Sequence, residues 1–153
     1  MSTRAERAEK FFQTGYACSQ AVAMAFSDVV KMEEGVLAKI MLPFGGGFGR
    51  LRLVCGAVSG MTAIVGLIFG EEKSSAENKA TTYEIERELC ARFEKEMGSL
   101  ICANLLSGAN VPPAVGGSPE ERTENYYKKR PCGEIVYLAA KILEDYLTEK
   151  GIL

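Results

Sequence analysis

The cysteines are the residues of this chain best suited to chemistry. The 153 residues include five cysteines and no histidine, and four of the cysteines stand where a helix is predicted to begin: Cys18, Cys55, Cys102 and Cys132. A helix N-terminus carries partial positive charge and free N–H donors, so it favours the thiolate over the thiol. The thiolate is the form that reacts with electrophiles and binds metal ions. If the fold brings these four helix starts together, they form a sulfur site.

Two kinds of sulfur site fit these residues. All four cysteines are candidate metal ligands, because four thiolates match the ligand set of an iron–sulfur cluster and of tetrahedral zinc. Alternatively, two cysteines form a reversible disulfide without any metal, and Cys18 and Cys55 are then the candidate catalytic pair. The four are separated by 37, 47 and 30 positions, which matches no compact CxxC run. Tertiary structure must therefore assemble either site.

The surroundings of Cys55 add candidate binding residues. Gly56 and Gly60 follow it in an apolar stretch, and glycine inside a helix costs about 1 kcal/mol relative to alanine. Their presence indicates tight packing or a backbone close to a ligand, so both are predicted to bind a cofactor. Arg50 is predicted to join them, because Arg50 and Arg52 place positive charge before Cys55, which lowers a thiol pKa and stabilises an anionic cluster.

Helical patterns account for most of the chain. No segment alternates with period two over a convincing length, so the fold class is predicted to be all-α. We expect one compact domain over residues 1–153, with about five to seven helices around a glycine-rich central helix. The predicted helices cover residues 3–13, 18–30, 32–41, 54–69, 75–97, 102–106 and 132–149, with a loop over 107–119.

Composition limits the partners and the compartment. The net charge is −2 and no basic face is evident, which argues against nucleic acid as a partner. Residues 54–69 carry no charge but fall short of the ~20 residues that span a bilayer, so no membrane insertion is expected. The first ten residues do not resemble a signal peptide, which predicts a cytoplasmic protein with reduced thiols. A redox partner protein is expected, and a homodimer is compatible with the sequence.

One motif and the order of the cysteines resemble a known family. A glycine-rich run, Phe44–Arg50, precedes Cys55–Gly60, which reads Cys-Gly-Ala-Val-Ser-Gly. With Cys18 before this motif and Cys102 and Cys132 after it, the chain resembles the CGAxxG (C_GCAxxG_C_C) family of redox-active proteins over roughly residues 11 to 147. The resemblance implies a redox role for these four cysteines.

The remaining cysteine differs from the other four. Cys90 falls in the middle of a predicted helix beside the apolar residues Ile85, Leu89 and Phe93, and it has no place in the family pattern. A free cysteine in such a position acts as a small apolar residue. We therefore expect Cys90 to pack against the core and to take no part in the chemistry.

Three functions follow from these observations. The leading hypothesis is a small redox protein whose four cysteines bind an iron–sulfur cluster, or another thiolate-ligated metal such as zinc, and pass electrons to a partner protein. The first alternative is a thiol–disulfide redox protein that needs no metal. The second alternative is a helical interaction module whose cysteines are only buried packing residues.

Overall fold

The computed structural model describes residues 3–153, and most of them are helical. The all-α prediction is therefore confirmed. The helices are α1 (Arg4–Gln13), α2 (Cys18–Met24), α3 (Ser27–Val30), α4 (Glu34–Met41), α5 (Gly45–Phe48), α6 (Gly56–Phe69), α7 (Ala76–Met97), α8 (Cys102–Gly108), α9 (Glu124–Lys129) and α10 (Cys132–Glu149), with a short 3₁₀ turn at Leu42–Phe44. Within residues 3–153 none of these helices is long and apolar enough to cross a bilayer.

Polar residues explain where the longer helices begin. The Thr3 hydroxyl accepts a hydrogen bond from the Glu6 N–H, and the Glu6 carboxylate accepts one from the Thr3 N–H. The hydroxyl of Ser2 would suit the same capping role, but Ser2 lies outside the described residues. Ser75 caps α7 in the same way through the Asn78 N–H, and Pro131 stands directly before α10. Each of these helix starts agrees with the sequence prediction.

The core lies where α2, α6, α7 and α10 meet. Helix α2 packs against α1, α4, α6 and α10, while α6 also contacts α7. The predicted apolar stripe of α7 is present, because Leu89 and Phe93 are fully buried. Burying an apolar side chain of this size contributes about 1.5–3 kcal/mol. All residues of α2 after Cys18 are buried, whereas the second half of α6 is exposed on one side, so both helices form the interior and the prediction of one glycine-rich central helix is not confirmed.

The helices are more numerous than predicted, because one predicted helix is divided and further short helices are present. The helix expected over residues 18–30 is interrupted between Met24 and Ser27, although no proline or glycine marks the break. Phe26 leaves helical geometry there while its ring stays fully buried. Helix α9 was not predicted at all, because its six residues are too few to show a clear apolar period. The described residues therefore contain more than the five to seven helices expected.

Candidate redox site

Four helix starts meet on one side of the molecule. Cys18, Cys102 and Cys132 are the first residues of α2, α8 and α10, and Cys55 directly precedes α6. All four line one small cavity, together with Gly56, Leu105, Leu106 and Ile135. The tertiary structure therefore brings together the four cysteines that the sequence singled out.

A short backbone pairing joins two of these helix starts. Val54 and Ile101 form an isolated antiparallel bridge. Beside it the Cys55 N–H donates to the Leu100 carbonyl at 2.8 Å, and the Cys102 N–H donates to the Leu53 carbonyl at 2.6 Å. These bonds hold the start of α6 against the start of α8 across 47 positions of sequence. The sequence does not predict this pairing, because a bridge of one residue on each side gives no periodic signal.

The glycine-rich turn at α5 closes over the same cysteines. Gly46 and Gly47 have φ values of +67° and +69°, a conformation that favours glycine. A Cβ atom at Gly47 would lie 2.6 Å from the Leu53 nitrogen and 2.8 Å from the Cys102 Cβ, so only glycine fits there. The Leu53 N–H in turn donates to the Gly47 carbonyl at 3.0 Å. The turn therefore packs directly against the start of α8.

The two glycines expected to bind a cofactor lie against α2. A Cβ at Gly60 would come within 2.6 Å of the Ser19 carbonyl oxygen, so this glycine lets α6 and α2 approach closely. A Cβ at Gly56 would lie 3.2 Å from the Ser19 nitrogen and 3.4 Å from the Cys18 Sγ. Gly56 thus lines the sulfur cavity, whereas Gly60 sets the spacing of two helices. Cofactor binding by either stays a prediction.

Two spaces of different size adjoin the thiols. The cavity shared by the four cysteines has a volume of about 20 Å³, which holds one atom of the size of a water oxygen. A larger open cleft of about 260 Å³ lies beside it and reaches Cys18, Cys102 and Cys132. Cys55 does not line this cleft and is buried, while the other three are half-buried. A molecule in solution can therefore approach three of the four sulfurs.

Cys18 is the thiol most readily ionised. A hydrogen bond from the Cys132 thiol, opposed by burial, lowers the pKa of Cys18 to about 7 with help from the Arg122 charge. The backbone N–H groups of Cys18 and Gly46 lower it further, as expected of a helix start. The same hydrogen bond raises the pKa of Cys132 well above its usual value, and burial adds to the rise. Both residues line the same cavity and the same cleft, so a thiolate at Cys18 and a thiol at Cys132 lie side by side in the site.

The other two thiols of the site stay protonated. Burial raises the pKa of Cys55, and the negative charge of Cys18 raises it further. Burial also raises the pKa of Cys102, although the Arg52 guanidinium, whose Nη1 lies 3.7 Å from the Cys102 Sγ, partly opposes this. Negative charge in the site is therefore concentrated on Cys18.

Arginines supply positive charge around the cleft. Arg50, Arg52, Arg122 and Arg130 all line it, and Glu120 is the carboxylate among them. Arg50 is thus beside the cysteines, as the sequence suggested, and its Nε donates to the Gly116 carbonyl at 2.9 Å. Arg130 pairs with Glu120 at 2.8 Å. The cleft therefore carries a positive potential in a protein whose net charge is negative.

Sequence reasoning missed Arg122. Its guanidinium donates to the Phe12 and Tyr16 carbonyls at 3.0 and 3.1 Å and lies 4.5 Å from the centre of the Phe12 ring and 4.9 Å from that of Tyr126. These contacts place it beside Cys18, more than 100 positions away in sequence. A single arginine in a loop gives no local signal of such a contact, so only the tertiary structure identifies it.

A family comparison agrees with this arrangement. Residues 16–146 match the family described as "Putative redox-active protein (C_GCAxxG_C_C)". The chain belongs to this family. The match includes all four cysteines of the site and the Cys55–Gly60 motif, so the resemblance seen in the sequence is confirmed and a redox role is supported. Among curated proteins and among solved structures, none matches the chain.

Cys90 lies apart from the residues that define the family pattern. It stands in the middle of α7, packs partly buried against the core, and lines neither the cavity nor the cleft. Burial and the neighbouring Glu86 raise the pKa of Cys90 to about 11. A thiol of this kind is almost entirely protonated at neutral pH, so Cys90 serves as an internal control in experiments on the other four.

The four family cysteines suit a metal centre by their chemistry, but the described residues do not present them as a ligand set. Soft thiolates are the ligands that iron–sulfur clusters and zinc prefer. The cavity that the four share has a volume of about 20 Å³. Within residues 3–153, no three or more cysteine, aspartate or glutamate side chains are arranged as ligands of a single metal ion.

Proposed function

We propose that this protein is a thiol–disulfide redox protein in which Cys18 attacks and Cys132 resolves. The observation that carries the proposal is that Cys18 and Cys132 line both the small cavity and the cleft, with the pKa of Cys18 lowered to about 7 by the Cys132 thiol. Cys132 takes the place of Cys55 in the pair that the sequence suggested, because Cys55 is buried away from the cleft. The family match supports a redox role of this general kind.

The reaction begins with a disulfide held in the cleft. The Cys18 thiolate attacks one sulfur of that disulfide, a Cys18–substrate disulfide forms, and the other half leaves as a thiolate. Cys18 then carries no charge, so the contact that raised the pKa of Cys132 is lost. Cys132 gives up its proton to the departing thiolate and attacks the Cys18 sulfur. The second half of the substrate leaves as a thiolate, so the products are a Cys18–Cys132 disulfide, one thiol and one thiolate, and two electrons have passed to the substrate.

A trapping experiment tests this order of events. Reduced wild-type protein treated with a small disulfide should lose two hydrogens and form a Cys18–Cys132 bond. Cys132→Ser should stop at the mixed disulfide on Cys18, because serine cannot resolve it. Intact mass and peptide mapping of the non-reduced protein distinguish the two products.

A matched variant completes this test. Cys90→Ser should behave as the wild type, since Cys90 lies outside the site. A wild-type product bonded between Cys18 and Cys55 would show that the resolving cysteine is wrongly assigned. A wild-type protein with no modification at Cys18 would contradict the proposed exchange itself.

Iron–sulfur binding is the second candidate, and it is favoured by two residues that the exchange reaction does not use. Cys55 and Cys102 start or precede helices around the same cavity, yet neither is needed for a two-cysteine mechanism. A cluster would employ all four thiolates and would supply one-electron transfer to a partner protein. The chain's own contribution would be the four ligands and the positive charge of the neighbouring arginines.

Anaerobic purification separates the second candidate from the first. An iron–sulfur protein absorbs visible light and contains iron and sulfide, and Cys55→Ser should remove most of both while Cys90→Ser keeps them. Colourless wild-type protein without iron would contradict cluster binding. Cys55→Ser should leave the exchange reaction of Cys18 and Cys132 in place if the first proposal holds.

A further inference from the structure

The cleft beside Cys18 holds more positive charge than its own carboxylate balances. Four guanidinium groups line it, from Arg50, Arg52, Arg122 and Arg130, against the single carboxylate of Glu120. Glu120 is already engaged by Arg130, whose hydrogen bond lowers the pKa of that carboxyl. Solvent and salt screen the charge of exposed arginines. Arginines in a concave site concentrate their electrostatic field on a molecule that enters the site.

One of these arginines is buried and incompletely bonded. The Arg52 side chain is 5% exposed, its Nε donates to the Ala114 carbonyl at 2.9 Å, and its Nη1 lies 3.7 Å from the Cys102 sulfur. Its Nη2 is buried and has no hydrogen-bond partner. A buried charged donor without an acceptor is costly, since charge is tolerated inside a protein mainly when it is paired. The guanidinium lies between Gly46 and Cys102, both of which line the cleft.

Backbone conformation adds to this cost. Arg50 and Arg52 have φ values of +67° and +61°, which are unfavourable for residues other than glycine. Main-chain hydrogen bonds hold both in place: the Arg52 N–H donates to the Gly46 carbonyl and the Gly116 N–H donates to the Arg50 carbonyl. The fold thus keeps two strained arginines beside the thiols. An anion in the cleft would offset the cost of the buried charge.

We propose that the cleft is a binding site for small disulfides that carry carboxylate groups. This inference rests on the proposed exchange reaction and specifies its substrate class. A cleft of about 260 Å³ suits a compact molecule. Arginine forms two parallel hydrogen bonds with a carboxylate, so the arginines would hold the acidic end of the substrate while its sulfur meets Cys18. The reaction is the thiol–disulfide exchange described above, and the carboxylate-bearing disulfide accepts the two electrons.

Three disulfides of equal spacer length test the proposal. Dithiodipropionate, hydroxyethyl disulfide and cystamine carry carboxylate, hydroxyl and ammonium groups on the same two-carbon arms. The rate of each disulfide with the reduced full-length protein is divided by its rate with mercaptoethanol. This division removes differences in the intrinsic reactivity of the three disulfides. We expect dithiodipropionate to exceed hydroxyethyl disulfide by about tenfold at low salt, with cystamine slowest.

Two variants that each remove one positive charge show which arginine causes the preference for the carboxylate-bearing disulfide. Arg52→Gln should abolish most of the preference for dithiodipropionate over hydroxyethyl disulfide. Arg87→Gln removes the same charge from the exposed face of α7 and should keep the wild-type ratio. If Arg52→Gln does not fold, the wild-type protein alone decides the matter, because the preference should then fall steeply as salt is raised from low to physiological strength.

Each outcome has one interpretation. Equal normalised rates for the three disulfides, or a preference that survives Arg52→Gln and salt, would overturn the anion site while leaving the exchange reaction standing. Failure of all three to form a mixed disulfide on Cys18 would overturn the exchange reaction itself.

Discussion

Iodoacetamide should modify Cys18 ahead of the other four cysteines, with a rate that rises with pH and reaches half its plateau near pH 7. The reason is the pKa of about 7 that the Cys132 hydrogen bond and Arg122 give to Cys18. Alkylation requires the thiolate, which is about half of Cys18 at pH 7 but only about 3% of an ordinary thiol. A less basic thiolate is also less nucleophilic, so the net rate advantage at pH 7 is only about threefold. The midpoint of the pH profile is therefore the sharper measurement.

The variant Cys132→Ala tests the cause of that midpoint. Removing the thiol that donates to Cys18 should move the midpoint upward, towards the pKa of an ordinary thiol near 8.5. Cys90→Ala removes a thiol of the same size from outside the site and should leave the midpoint near pH 7. Quantitative peptide mapping after timed alkylation provides the rates. An unchanged midpoint in Cys132→Ala would show that the contact between the two sulfurs does not stabilise the thiolate.

Two glycines of one helix should respond to alanine in opposite directions. Gly60→Ala should reduce the free energy of unfolding by about 1–3 kcal/mol, because the new Cβ meets the Ser19 carbonyl at 2.6 Å and α2 must shift. Gly66→Ala, later in α6, has no heavy atom within 4 Å of its new Cβ and should raise the free energy of unfolding by up to about 1 kcal/mol. Urea unfolding of both variants gives the comparison.

The Gly60 variant also bears on the sulfur site. Helix α2 begins at Cys18, and Ser19 contacts both Gly56 and Gly60. A shift of α2 away from α6 would therefore widen the separation of Cys18 from Cys55. A Gly60→Ala protein as stable as the wild type would mean that α2 and α6 do not pack as closely as the structure shows.

Local signals in the sequence were enough to locate most helices. Thr3 and Ser75 cap α1 and α7, and Pro131 starts α10, as their side-chain chemistry predicts. The apolar spacing of Leu89 and Phe93 correctly identified the buried face of α7. These signals work because capping and helical periodicity depend on hydrogen bonds and neighbours within about four residues. The same reasoning correctly placed the four cysteines at helix starts.

Local reasoning failed where the signal was short or absent. The break between α2 and α3 occurs in an uninterrupted apolar segment, and α9 is only six residues long. The bridge between Val54 and Ile101 involves one residue on each side. None of these features has a period or a cap in the sequence that would distinguish it from its surroundings.

The sequence by itself therefore determined which four cysteines belong to the family pattern, and the tertiary structure determined that they share one cavity. Helix starts can be recognised one at a time, but the cavity that Cys18 and Cys132 share brings together residues 114 positions apart and depends on how α2 packs against α10. Arg122 is beside Cys18 only because its guanidinium binds the carbonyls at the end of α1. Such contacts arise from the burial of whole helix faces, a long-range effect that no short segment records.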